Sequence, residues 1–163
     1  MDLHECLPDW MKGLTSLKTL HIENNHKLKY LSPGIQYLTS LQELCIDDCE
    51  KLVEISLGNS IKWEALTSIR RLTFKNQPNL VTLPGGLQRA TTLQRLSIMN
   101  CQNLTALLDW ICKLCSLKAL DLLYCRNLKS LPGSISGHTC LRSLQIYGCH
   151  PLIERRRRSS GEH

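Results

Sequence analysis

The stretch LTSLKTLHIENNHKL, residues 14–28, decides the fold, because the chain repeats it. Its frame returns as LTSLQELCIDDCEKL at 38–52, LTSIRRLTFKNQPNL at 66–80 and ATTLQRLSIMNCQNL at 90–104. Two further copies follow, LCSLKALDLLYCRNL at 114–128 and HTCLRSLQIYGCHPL at 138–152. Successive copies start 24, 28, 24, 24 and 24 residues apart, and the longer step carries four extra residues around Asn59 to Trp63. Self-similarity at such a period means stacked units, none of which buries its apolar face alone. Inside each unit two apolar residues alternate with variable ones: Leu20 and Ile22, Leu44 and Ile46, Leu72 and Phe74, Leu96 and Ile98, Leu120 and Leu122, Leu144 and Ile146. A period of two predicts one short strand per unit with its apolar side inward. Six such strands stack in parallel, about 4.8 Å apart, into one curved sheet. Leucines such as Leu17, Leu28 and Leu31 fill the layer behind it, and Leu7-Pro8, Leu83-Pro84 and Leu131-Pro132 start an irregular or short helical return along the convex side.

The 163 residues amount to one domain, with the repeats over 1–154 and a basic tail over 155–163. A 42% hydrophobic and 21% charged composition is globular, and a single Phe among many leucines points to aliphatic core layers. The formal charge is +6, but four of the cations are Arg155, Arg156, Arg157 and Arg158. The basic balance therefore belongs to the tail and does not imply a nucleic-acid-binding fold. No run reaches the roughly 18 apolar residues of a membrane span. The start, MDLHECLPDW, has acids and a histidine where a signal peptide has a basic start and an apolar core.

One repeat position accounts for most of the nine cysteines. Asn25, Cys49, Gln77, Cys101, Cys125 and Cys149 lie three residues past the second strand apolar. There a small side chain with a donor can bond the backbone of the turn between neighbouring units, so these cysteines read as structural. Cys112-Lys113-Leu114-Cys115 has zinc or redox spacing, yet no second pair accompanies it and Leu114 is a frame leucine. No phosphate-binding loop, GxGxxG, HExxH or GxSxG occurs, and the six histidines are scattered, with His138 replacing a frame apolar residue. Neither catalysis nor a cofactor, metal or small-molecule substrate is expected.

The outward strand positions form columns on the concave face, where stacked-repeat proteins bind. Glu23, Glu43, Asp47 and Asp48 make the first two units acidic, and Arg71, Lys75 and Arg95 make the middle basic. Met99, Leu123, Tyr124 and Tyr147 leave an apolar stripe on the last three units. An apolar row facing solvent marks a protein-binding surface.

The pattern LxxLxxLxIxxCxxLxxLPxxI, with cysteine in the inward slot and the turn Leu131-Pro132-Gly133-Ser134-Ile135, resembles the leucine-rich-repeat region of plant intracellular nucleotide-binding disease-resistance receptors. Leu144-Gln145-Ile146-Tyr147-Gly148-Cys149-His150-Pro151-Leu152, then Arg155 and Gly161-Glu162, is similar to the ending of their coiled-coil subclass. His150 intrudes between Cys and Pro, and Arg156 stands where that ending has a second cysteine. The resemblance implies an α/β solenoid, a leucine-rich-repeat arc with a parallel sheet on its concave face. It implies recognition in plant innate immunity, by binding a pathogen or pest effector or by contacting the parent receptor's own domains, in the cytoplasm or nucleus. Extracellular plant repeats carry LxGxIP instead, so Asn103-Leu104-Thr105 is read as a chance glycosylation triplet. Two alternatives stand beside this reading: the recognition arm of a ubiquitin ligase, and a nuclear or nucleic-acid role through Arg155–Arg158. Because Leu7, Met11 and Leu14 already follow the frame of Leu131, Ile135 and His138, the chain is expected to be the C-terminal portion of a larger receptor, self-associating through an uncapped end.

Overall fold

Apolar residues two apart, alternating with variable ones, bury one face in an extended conformation, and every copy of the repeat takes that course. The computed structural model describes residues 5–31, 33–52 and 61–151, so the extra residues up to 60 and the arginine run lie outside the described part. Six strands form one sheet in chain order: β1 (Thr19–Glu23), β2 (Glu43–Asp47), β3 (Arg71–Lys75), β4 (Arg95–Met99), β5 (Ala119–Leu123) and β6 (Ser143–Tyr147). All neighbours are parallel and pair column by column, Leu20↔Leu44, Leu44↔Leu72, Leu72↔Leu96, Leu96↔Leu120 and Leu120↔Leu144. Shifting the register by one residue would turn every apolar side chain outward, so the pattern fixes the pairing.

Each strand is followed at once by a residue with positive φ: Asn24 at 54°, Asp48 at 51°, Asn76 at 50°, Asn100 at 52°, Tyr124 at 57° and Gly148 at 65°. The left-handed turn reverses the chain toward the core while its N–H still serves the sheet. Asn24 N donates to Asp47 O at 3.0 Å, Asn100 N to Leu123 O at 2.8 Å and Tyr124 N to Tyr147 O at 2.7 Å. Asn and Gly suit this conformation, whereas for a tyrosine it costs about 1–2 kcal/mol.

Behind the sheet the inward slot becomes a ladder. The thiol of Cys101 donates to Phe74 O and Met99 O at 3.7 and 3.4 Å, and that of Cys125 to Ile98 O and Leu123 O at 3.7 and 3.5 Å. Cys49 and Cys149 bridge the equivalent carbonyls, and Gln77 does so with its amide. In each slot the side chain joins a carbonyl of its own turn, which also accepts a backbone N–H from the preceding repeat, to a carbonyl of that preceding repeat, which is the structural role read from the spacing.

The convex return is a short 3-10 helix in every repeat: η1 (Asp9–Gly13), η2 (Pro33–Tyr37), η3 (Trp63–Ala65), η4 (Gly85–Arg89), η5 (Asp109–Lys113) and η6 (Gly133–Gly137). Pro8, Pro84 and Pro132 cap η1, η4 and η6, where a missing N–H and a fixed φ carry no penalty. Between sheet and returns lies one aliphatic core, including Leu44, Leu72, Leu96 and Leu120 with no exposed area. His138 is drawn into the same layer as Leu38, Leu66, Ala90 and Leu114; it is buried, and its Nε2 has no hydrogen-bond partner among the described residues. Leu114, inside the CxxC, is buried, while Cys115 is exposed and bonds Lys113 O. Among the described residues no helix is long and apolar enough to cross a membrane.

Candidate functional site

The open face of the sheet carries three side-chain columns, set by the same register as the core. The first column runs Thr19, Glu43, Arg71, Arg95, Ala119, Ser143 and the middle one His21, Cys45, Thr73, Ser97, Asp121, Gln145. The last runs Glu23, Asp47, Lys75, Met99, Leu123, Tyr147. Asp48 and Tyr124 sit one residue further on, in the left-handed turn, and so line the rim rather than the strand face.

The apolar part is continuous. Met99 pairs with Leu123 and Leu123 with Tyr147 across adjacent strands. Tyr147 is 62% exposed and Tyr124 47%, and their rings meet edge to face at 5.3 Å and 89°. Gly148 makes that meeting possible, since a Cβ there would lie 2.5 Å from the Tyr124 ring. The two tyrosines thus hold each other upright at the end of the row while most of the Tyr147 ring faces solvent.

The charged part is organised by pairs. Arg71 grips Glu43 Oε2 through Nε at 2.9 Å and Nη2 at 2.7 Å. Lys75 Nζ meets Asp47 Oδ2 at 2.7 Å, while Asn76 donates to Asp47 Oδ1 at 2.8 Å. The acidic β2 and basic β3 therefore neutralise each other along their shared seam instead of standing as two open fields. The Arg71 bonds hold the Glu43 carboxyl below its ordinary range against the opposing effect of burial, and Asp47 raises the Lys75 ammonium. Glu23 remains exposed, 3.9 Å from His21 Nδ1, and His21 Nε2 is 3.5 Å from Glu43.

Asp121 is the residue whose importance the sequence hides. It stands in an outward column, yet it is only 6% exposed. Its Oδ2 accepts from Arg95 Nη1 and Ser97 Oγ, each at 2.8 Å, and its buried Oδ1 has no partner among the described residues. The signal was available only through register: Arg95 and Ser97 lie one repeat before it, on the neighbouring strand. Arg71 and Arg95, directly opposite each other, are drawn apart, one toward β2 and the other toward β5.

A leucine-rich-repeat protein of Leptospira interrogans superposes on this chain with a TM-score of 0.64 and 22% identity, covering 89% of the chain. The fold is a leucine-rich-repeat arc. This chain spans 41% of that protein's length. The leucine-rich-repeat domain of the type III effector XopL aligns at 19% identity and a TM-score of 0.41, covering 87% of this chain and 72% of its own. An internalin of Listeria monocytogenes aligns at 16% identity and a TM-score of 0.31, covering 88% and 59%. No protein-family model matches the leucine-rich-repeat chain, and no curated protein matches it.

Proposed function

We propose that this leucine-rich-repeat arc is a protein-recognition module of plant innate immunity, working in the cytoplasm or nucleus. Its ligand is a pathogen or pest effector, or the other domains of a parent receptor. The observation that carries the reading is the contiguous row Met99–Leu123–Tyr147 on the open sheet face, closed by Tyr124. Met99 and Leu123 are half-buried, so the exposed apolar surface is carried by Tyr147 and Tyr124 at the end of the row; exposed apolar patches mark partner surfaces, and tyrosine is among the residues that most often anchor them. Burying Tyr147 contributes up to about 1.5–3 kcal/mol before the cost of association, and Met99 and Leu123, already half-buried, contribute less. The plant-immunity part rests on the resemblance of the repeat consensus and ending.

The test is recovery of a partner from host extract challenged with pathogen or insect secretions, using the full chain and a Met99→Asp, Leu123→Asp, Tyr147→Asp variant. Circular dichroism first establishes that both are folded. A partner held by the wild type and lost by the variant supports recognition through the row; equal recovery by both rejects it.

A further inference from the structure

The residue just ahead of each strand falls in one more column: Lys18, Gln42, Arg70, Gln94, Lys118 and Arg142. Backbone bonds tie all six together. Gln42 N donates to Lys18 O at 2.8 Å, Arg70 N to Gln42 O at 2.9 Å and Gln94 N to Arg70 O at 2.9 Å. Lys118 N then donates to Gln94 O, and Arg142 N to Lys118 O, both at 2.8 Å. The column is thus a rigid edge with rungs about 4.8 Å apart. Lys18, Arg70, Lys118 and Arg142 are all exposed, and among the described residues none of them is in an ion pair.

This edge differs from Arg71, Lys75 and Arg95 inside the sheet, each of which already holds a carboxylate. Like charges on neighbouring rungs, as at Lys118 and Arg142, oppose folding slightly. Carboxylates laid along the edge relieve that repulsion. The apolar row lies toward the opposite end of the same strands, five residues on and so about 16 Å away at roughly 3.3 Å per residue.

We propose that the cationic edge selects the partner of the apolar row: a protein segment laid over the last four repeats, with carboxylates against Arg70, Lys118 and Arg142 and aromatic or aliphatic side chains about 15 Å across from them. This rests on the apolar-row reading and adds the partner's chemistry to it. A nucleic acid fits less well, because its phosphates and bases are closer together than the edge and the row.

Fluorescence anisotropy tests the inference with three labelled probes: a random copolymer of glutamate and tyrosine, polyglutamate of equal length and a 20-nucleotide oligouridine. The full chain is compared with an Arg70→Glu, Lys118→Glu, Arg142→Glu variant and with the aspartate triple variant of the row. All three edge positions are exposed, and glutamine replacements repeat the test with less perturbation. The copolymer is expected to bind the wild type about tenfold more tightly than polyglutamate. Edge reversal is expected to weaken it about tenfold at low salt and flatten its salt dependence. Row substitution is expected to bring it down to the polyglutamate level. Copolymer affinity within about twofold of wild type after edge reversal overturns the inference while sparing the row. A loss on edge reversal with none on row substitution rejects the row reading and this inference with it. Oligouridine bound more tightly than the copolymer overturns the protein partner.

Discussion

At the residue scale, the turn that closes each strand decides what its occupant can be. Gly148 is held at φ 65° under the Tyr124 ring, so Gly148→Ala meets both a left-handed backbone and a 2.5 Å contact. Its expected cost is about 1–2 kcal/mol from the backbone, with ring displacement added. Urea unfolding of Gly148→Ala alone and with Tyr124→Asn separates the two contributions. Because Asn tolerates φ 57° and leaves room for the alanine methyl, the double variant should recover part of the loss. Equal losses with and without Tyr124→Asn would show that the ring contact carries no energy. His138 offers the opposite case. Its Nε2 is buried without a partner among the described residues in an apolar layer, so His138→Leu should gain about 1 kcal/mol by removing an unmatched polar atom. A loss of stability in thermal melts at neutral pH would mean that the imidazole is better placed than its surroundings indicate.

At the scale of the repeated elements, the inward thiols act as one ladder whose protons matter. Burial pushes the Cys101 thiol from 9.0 up to about 11, against the lowering effect of bonds from the Gln77 and Met99 amides. Burial also raises Cys49, and a thiol–thiol bond from Cys149, then burial, raises Cys125. A raised folded value means that the unfolded chain gives up its proton first as pH rises. The stabilisation is therefore complete below about pH 9 and is lost between about 9 and 11, on the order of 2–3 kcal/mol for Cys101 alone. Melts between pH 8 and 11 should show a steeper alkaline decline for wild type than for Cys101→Ala, and parallel declines would reject the assignment. This ladder was legible in the sequence because a single slot recurs, as were the strands and their register. The left-handed column was not: φ is a backbone property, and Asp48 and Tyr124 disguise a position that Asn24, Asn76 and Gly148 only hint at. The candidate face was half legible. Its columns follow from period two, but which charges cancel depends on contacts between residues 26 to 28 positions apart, such as Arg95 with Asp121 and Arg71 with Glu43. Only the strand register reveals those contacts.

At the scale of the whole molecule, each repeat touches only its neighbours, so stability is a sum over rungs and is not uniform. Burial along the two strand columns shows the gradient. Leu44, Leu72, Leu96 and Leu120 are fully buried, and so are Ile46, Phe74, Ile98 and Leu122, whereas Leu20 and Leu144 at the outer strands are half-buried. Leu14, at the start of the first copy, is 39% exposed where Leu38, Leu66 and Leu114 are covered. Strands β1 and β6 have one hydrogen-bonded neighbour each, and the others have two. Amide exchange should therefore be slowest in β3 and β4, with protection falling toward both ends, and β1 and β6 should exchange through local opening at a fraction of the global free energy. The apolar row spans this gradient, with Met99 on a central strand and Tyr147 on an outer one. A partner bridging the two should protect β6 amides more than β4 amides, because the least stable element gains most from being covered. Uniform protection across all six strands would instead describe a cooperative block, in which Tyr147 is held as firmly before binding as after it.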